Sequence, residues 1–237
     1  CKSTYIYNML NTDKPLRERN FLNKEVTYIG SLVPAKGFHA LAKIWSNVLD
    51  KVPDAQLNVI GTGRVYDRNA QLGRYGIAQD EYEKSFMQYL TTPEGKILPS
   101  VHFLGLLGKE KEEVFSRTMV GVVNPTALTE TFCMSAVEME LAGIPVVSKK
   151  KWGLLDTVIN NKTGFLFSSE KEFVDCIVRL LKDRELNMKM GVAARAFVKD
   201  TFEASAIIKR WKEEIEAVYK EVQPEYLGIQ NNYLNDH

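Results

Sequence analysis

An α/β fold built on a doubly wound parallel sheet of Rossmann-like type is predicted by three features of the sequence. Six short apolar runs alternate with helical patterns along the chain. The runs are nearly continuous in apolar residues rather than alternating, as strands covered on both faces require. The stretches between them are long enough to carry crossover helices, so the strands can lie parallel. The 237 residues are 45% hydrophobic and 26% charged, which is globular composition with enough length for a substantial core.

The six strands are expected at 26–29, 57–60, 101–104, 120–123, 145–147 and 165–167. Helical spacing of apolar residues fills the intervals at 38–49, about 80–90, 111–116, 134–141, 173–181 and 188–198. A last helix begins at about Ala204, where Ile208, Trp211, Ile215, Val218 and Val222 recur at spacings of three and four on an otherwise charged surface. Such a stripe is expected to pack on something. Residues 1–24 lack sustained periodicity and read as a linker. The folded domain is then expected over 25–203, followed by a terminal helix and tail over 204–237. The tail carries Tyr226, Leu227, Ile229, Tyr233 and Leu234, more apolar groups than a solvated tail needs, and is expected to dock on a further domain. The chain opens with Cys1 rather than Met, which reads as a piece of a longer protein whose other half lies upstream.

Composition excludes several classes of function. With 31 Lys and Arg against 30 Asp and Glu, the net charge of +1 gives no footprint for nucleic acid. Cys1, Cys133 and Cys176 are odd in number and contain no C-x-x-C pair, so neither a disulfide framework nor a zinc site is indicated, and a reducing, cytoplasmic compartment fits. No apolar run approaches the roughly 20 residues of a membrane span, and no signal peptide is present.

In an open parallel sheet ligands bind beyond the carboxyl ends of the strands. The first run ends in G-S-L-V-P-A-K-G (30–37), the second in G-T-G-R (61–64), the third at Gly105, and the fourth in N-P-T-A-L-T-E-T-F-C-M (124–134). Gly30, Gly61, Gly63 and Gly105 let a ligand approach the backbone. Lys36 and Arg64 supply positive charge. A helix starting near Phe132 offers free first-turn amides and its dipole to an anion. The dipole alone contributes about 0.3–2 kcal/mol. A diphosphate needs more, and a lysine making a charge-assisted hydrogen bond adds roughly 1.5–3 kcal/mol. Lys36 is the candidate for that bond. Glu130 and Glu138, eight residues apart, can bracket a ligand, one carboxylate toward a hexose and one toward a ribose diol. The set suits a phosphorylated sugar.

Each residue also has a plainer reading. Glutamates at this spacing recur by chance, and Lys36 alone could be a solvated loop lysine. Cys133 at a helix start could be an activated thiolate, against the commoner role of a small buried filler. Tyr66 stands where a dinucleotide fingerprint would need its third glycine, so no such fingerprint is present. His39 and His102 have no metal-ligand spacing around them and read as surface or packing residues.

Taken in order, Y-I-G-S-L-V-P-A-K-G, L-N-V-I-G-T-G, V-H-F-L-G, V-N-P-T, the E-x7-E box T-E-T-F-C-M-S-A-V-E, L-A-G-I-P-V-V-S and T-G-F-L-F resemble family 4 of the retaining glycosyltransferases, over 26 to about 222. Within it the chain looks like the second halves of bacterial polysaccharide enzymes. The resemblance implies the carboxyl-terminal, donor-binding half of a GT-B fold, with the acceptor held mostly by an amino-terminal domain. It implies that Lys36 contacts the donor diphosphate and Glu130 the hydroxyls of the transferred sugar. The backbone of Phe132, Cys133 and Met134 would meet sugar and phosphate, Glu138 the ribose, and the loop after Gly105 the base. Two positions depart from the family's pattern: Ser31 stands where arginine is usual and Cys133 where glycine is usual.

The activity implied is transfer from a nucleoside diphosphate sugar, with uridine preferred, retaining anomeric configuration. The acceptor would be a polysaccharide or lipid-linked saccharide, reached from the cytoplasm with peripheral association at the inner membrane face. No D-x-D occurs in the chain, in keeping with metal-independent chemistry and no cofactor beyond the sugar donor. The fragment by itself would be inactive. The alternatives are a non-catalytic nucleotide-sugar-binding module whose acceptor half is on another chain, and a sugar-nucleotide epimerase, against which the E-x7-E box argues.

Overall fold

A computed structural model describes residues 12, 19, 21, 23–64 and 69–220. Its centre is a six-stranded sheet of β1 (Lys24–Ile29), β2 (Ala55–Ile60), β3 (Val101–Gly105), β4 (Thr118–Val122), β5 (Val146–Lys149) and β6 (Gly164–Phe167), in the order β3-β2-β1-β4-β5-β6. Every pairing is parallel. The chain runs outward from β1 to β3, returns to lay β4 beside β1, and continues outward to β6. The order therefore reverses between β1 and β4, and a crevice opens beyond the carboxyl ends of these two strands.

Eight α-helices flank the sheet among the described residues: α1 (Phe38–Lys51), α2 (Asp80–Met87), α3 (Lys111–Arg117), α4 (Met134–Leu141), α5 (Leu154–Thr157), α6 (Glu170–Lys182), α7 (Arg184–Phe202) and α8 (Ala204–Tyr219). One buried cluster joins Leu41 and Trp45 of α1, Phe86 of α2 and Ile177 of α6 to Val26, Tyr28, Val120 and Val147 of the sheet. A second joins Val114 of α3, Ala136 and Met139 of α4 and Leu154 of α5 to Ile60 and Val146. The adjacent residues Val146 and Val147 thus serve opposite layers, which is why these strands are apolar throughout rather than alternating. Each large side chain so buried contributes about 1.5–3 kcal/mol.

All six predicted strands are present, and the predicted helices are found with α6 and α7 starting earlier. The four-residue α5 and a 3-10 turn over Pro34–Lys36 have no counterpart in the sequence reading. Within the segment read as a linker, Arg19 is held against the domain: Nη1 donates to Gly143 O at 2.6 Å and Nη2 to Thr118 O at 2.7 Å. Its burial lowers the guanidinium pKa to about 10.

On α8 the predicted stripe of Ile208, Trp211, Ile215 and Val218 is exposed, and Ile207 is the buried residue of that helix. The last member of the stripe, Val222, and the apolar tail residues lie outside the described residues. Among the described residues no helix is long and apolar enough to cross a membrane.

Candidate functional site

The loop leaving β1 carries Lys36 to the crevice. Pro34 opens the 3-10 turn with its φ already fixed, and Gly37 closes it at φ 71°, a left-handed conformation that glycine adopts without strain. A Cβ on Gly37 would stand 2.4 Å from Thr126 Oγ1, so the glycine also lets this turn press against the loop leaving β4. From beneath, the Tyr28 hydroxyl donates to Lys36 O at 3.0 Å. These constraints fix the backbone from which the lysine side chain projects.

The loop leaving β4 carries Glu130. Asn124 takes φ 35° and Ala127 φ 46°, so the chain turns back sharply after Val122. The Asn124 side chain staples the turn: Oδ1 accepts from Ala127 N–H at 3.0 Å, and Nδ2 donates to Thr129 O at 3.2 Å and to Glu130 Oε2 at 3.0 Å. Lys36 Nζ reaches the same Oε2 at 3.0 Å, with the Glu130 side chain only 8% exposed and that of Lys36 27%. Lys36 is therefore not a solvated loop lysine. It and Glu130, 94 residues apart, form one ion pair across the switch point. Both donors bind Oε2, so Oε1 lies outside this pair of bonds. On the far side, Gly153 N–H donates to Glu130 O at 3.0 Å, and a Cβ on Gly153 would meet Thr131 O at 2.1 Å.

Just beyond Glu130, α4 begins. Ala136 and Val137 N–H donate to Cys133 O, and the amides of Met134 and Ser135 precede them in the first turn. Cys133 is buried, and burial pushes its thiol up to about 12, with the nearby Glu130 charge acting in the same direction. The backbone amides of Ala136 and Ser135 and the Lys36 charge pull the other way, which places the sulfur at this end of the helix. Burial outweighs them, and Cys133 is a neutral thiol and not an activated thiolate. The Phe132 ring turns away to meet Phe202 edge-on at 5.3 Å, leaving its backbone near the crevice.

One turn into α4, Glu138 is paired with Lys111 of α3, Nζ to Oε2 at 2.8 Å. The remaining candidates line the same edge. Half-buried Ser31 precedes Leu32, whose N–H donates to Thr62 O, and Gly61 packs so closely on Gly30 O that a Cβ would lie 2.0 Å away. Gly63 packs on Ala78, Gly105 takes φ 68°, and Arg64 stands exposed at the end of the β2 loop. His39 is half-buried against the Tyr82 hydroxyl and His102 is exposed against Gln56, the packing and surface roles read for them. The sequence reading did not single out Asn124, Tyr28 or Lys111. Asn124 stood inside a quoted motif, and asparagine's tolerance of left-handed φ was the available signal.

The protein-family model for glycosyl transferases group 1 matches residues 15–197. The chain belongs to this family. Among curated group 1 relatives, the D-inositol 3-phosphate glycosyltransferase of Corynebacterium jeikeium is 28% identical over 218 residues, covering 90% of this chain and 48% of the relative. The capsular polysaccharide biosynthesis glycosyltransferase CapM of Staphylococcus aureus is 26% identical over 199 residues, covering 83% and 46%. The chain thus spans about half the length of the curated relatives it matches. Among solved structures, Anabaena Alr3699/HepE in complex with UDP-glucose superposes with a TM-score of 0.70 at 19% identity, covering 90% of this chain and 57% of that one. The carboxyl-terminal domain of a group 1 family protein from Francisella tularensis gives 0.60 at 17% identity, covering 82% of this chain and 99% of that one. The fold is that of the carboxyl-terminal, Rossmann-like domain of a GT-B glycosyltransferase.

Proposed function

We propose that this chain is the donor-binding half of a family 4 retaining glycosyltransferase that transfers a hexose from a nucleoside diphosphate sugar, UDP-linked in preference, to a polysaccharide or lipid-linked acceptor. The observation that carries the reading is the meeting of Lys36, Glu130 and the start of α4 at the point where strand order reverses. A diphosphate lying on the α4 amides comes within reach of the Lys36 ammonium, and a sugar beyond it presents hydroxyls to Glu130 Oε1. Lys36 then exchanges part of its bond with Glu130 for the leaving phosphate, where negative charge grows as the glycosidic bond breaks. Preorganised charge of this kind works without reorganising solvent, and lysine together with the helix end takes the place of a divalent ion.

The nucleotide is the open variable. HepE was solved with UDP-glucose, whereas a Mycobacterium tuberculosis relative, 29% identical over 191 residues, is named as GDP-mannose-dependent. The acceptor is taken to be held by an amino-terminal half, against which the α8 stripe docks, with the assembled enzyme in the cytoplasm beside the membrane. Calorimetric titration with UDP, GDP and ADP, with and without magnesium, tests the donor site. One nucleotide should bind, indifferent to magnesium and weakened in Lys36→Ala. In a protein carrying both halves, Lys36→Ala should lower turnover on the order of 100- to 1000-fold. Normal turnover in that variant would sink the assignment.

A further inference from the structure

Glu130 and Glu138 each have a lysine on Oε2: Lys36 on Glu130 at 3.0 Å and Lys111 on Glu138 at 2.8 Å. The second pair has no place in the reading so far. Lys111 and Glu138 are 27 residues apart, and their bond ties the first residue of α3 to the middle of α4. For α3 itself a lysine there is unfavourable, because the first turn of a helix carries partial positive charge and prefers acids, which Glu112 and Glu113 supply. The placement of Lys111 is therefore accounted for by Glu138 and not by its own helix. Both side chains are largely covered yet reachable, 23% exposed for Lys111 and 32% for Glu138.

An ionised carboxylate offers about four lone-pair sites. The ammonium occupies one on Oε2, so Oε1 and the second site on Oε2 remain to accept the two hydroxyls of a vicinal diol. Two-point acceptance requires the carboxylate plane to be fixed. A glutamate that is otherwise only partly packed has rotamers to lose on binding, and a bond made beforehand reduces that loss.

We propose that Lys111 is a positioning residue for nucleotide recognition: by holding Glu138 it sets the carboxylate to accept a ribose 2′,3′-diol and makes this domain select ribonucleoside over 2′-deoxyribonucleoside diphosphates. The inference rests on the reading of Glu138 as the ribose ligand, and the test separates the two. UDP, GDP and ADP, each beside its 2′-deoxy analogue, are titrated calorimetrically into wild type, Lys111→Met, Lys111→Arg and Glu138→Gln, with unfolding midpoints taken on the same samples. The wild type should prefer the ribonucleotide by about 10- to 100-fold, the worth of one hydrogen bond to a charged acceptor. Lys111→Met should cut that preference about threefold or more while leaving affinity for the deoxy analogue within twofold, and Lys111→Arg should keep it.

An unchanged preference in Lys111→Met overturns the role of Lys111, and so does an equal loss for both nucleotides, which would mark a structural pair. A wild type without preference, unaltered by Glu138→Gln, overturns instead the assignment of Glu138. Failure of every nucleotide to bind the wild type removes both.

Discussion

Two residues beyond Glu138, and buried where Glu138 is reachable, Glu140 has no accessible surface. Its Oε1 accepts from Thr163 Oγ1 at 2.7 Å, and that hydroxyl accepts in turn from Ile159 N–H at 2.9 Å. Oε2 has no hydrogen-bond partner among the described residues. Burial drives the carboxyl pKa well above its ordinary 4.5, with the threonine bond pulling the other way. The folded chain thus holds a proton that the unfolded chain releases above about pH 4.5. A carboxyl raised on folding contributes stability that is fully present below the unfolded pKa and is lost as pH climbs toward the folded value. Glu140→Gln keeps an acceptor for Thr163 and removes the titration. The stability of this variant relative to wild type should therefore rise with pH above about 5, at up to roughly 1.4 kcal/mol per pH unit. Urea unfolding at pH 5, 6, 7 and 8 reads the difference, and parallel curves would mean that Glu140 ionises as readily folded as unfolded.

At the scale of elements, the loop between β4 and α4 determines whether Glu130 and α4 meet the β1 turn. Asn124 holds that loop through three bonds, one of them to the buried Ala127 N–H, at a φ of 35° that alanine resists. Asn124→Ala should lower the unfolding free energy by about 1–3 kcal/mol: the carbonyl of residue 124 still accepts from Ala127 N–H, but Thr129 O and Glu130 Oε2 each lose a donor, at roughly 0.5–1.5 kcal/mol per bond. A denaturation midpoint unmoved by the change would mean that Thr126 and Gly153 suffice to shape the loop. Elements of this kind were partly legible in the sequence. Strands such as β2 and β4 announce themselves because burial on both faces leaves few polar residues, and α1 because Leu41, Ile44, Trp45 and Val48 recur at helical spacing. α6 was read as starting at Phe173 because its first residues are a polar capping box, Ser169 with Glu172, that precedes the apolar stripe. α5 has four residues, too few for a period to show. The motifs named Lys36, Glu130 and Glu138, but the pairs Lys36–Glu130 and Lys111–Glu138 follow from strand order and loop shape, which no local spacing encodes.

Over the whole molecule, the layers of α-helix close both faces of the sheet, yet α8 leaves Ile208, Trp211, Ile215 and Val218 in contact with solvent. Ile215 and Val218 keep most of their surface in water in the folded chain, 61% and 73% exposed, and so gain little from folding. Ile215→Lys with Val218→Glu should accordingly leave its unfolding free energy within about 0.5 kcal/mol of wild type, the usual range for surface substitutions. The proposed two-half enzyme makes the opposite demand on the same residues. If α8 packs on the amino-terminal half, each apolar side chain buried there contributes about 1.5–3 kcal/mol, and the double substitution should loosen the halves and lower the melting temperature of the longer protein. Measuring both chains separates the cases. Equal destabilisation of the two would place the stripe inside this domain's own core, whereas indifference in both would deny α8 any docking role.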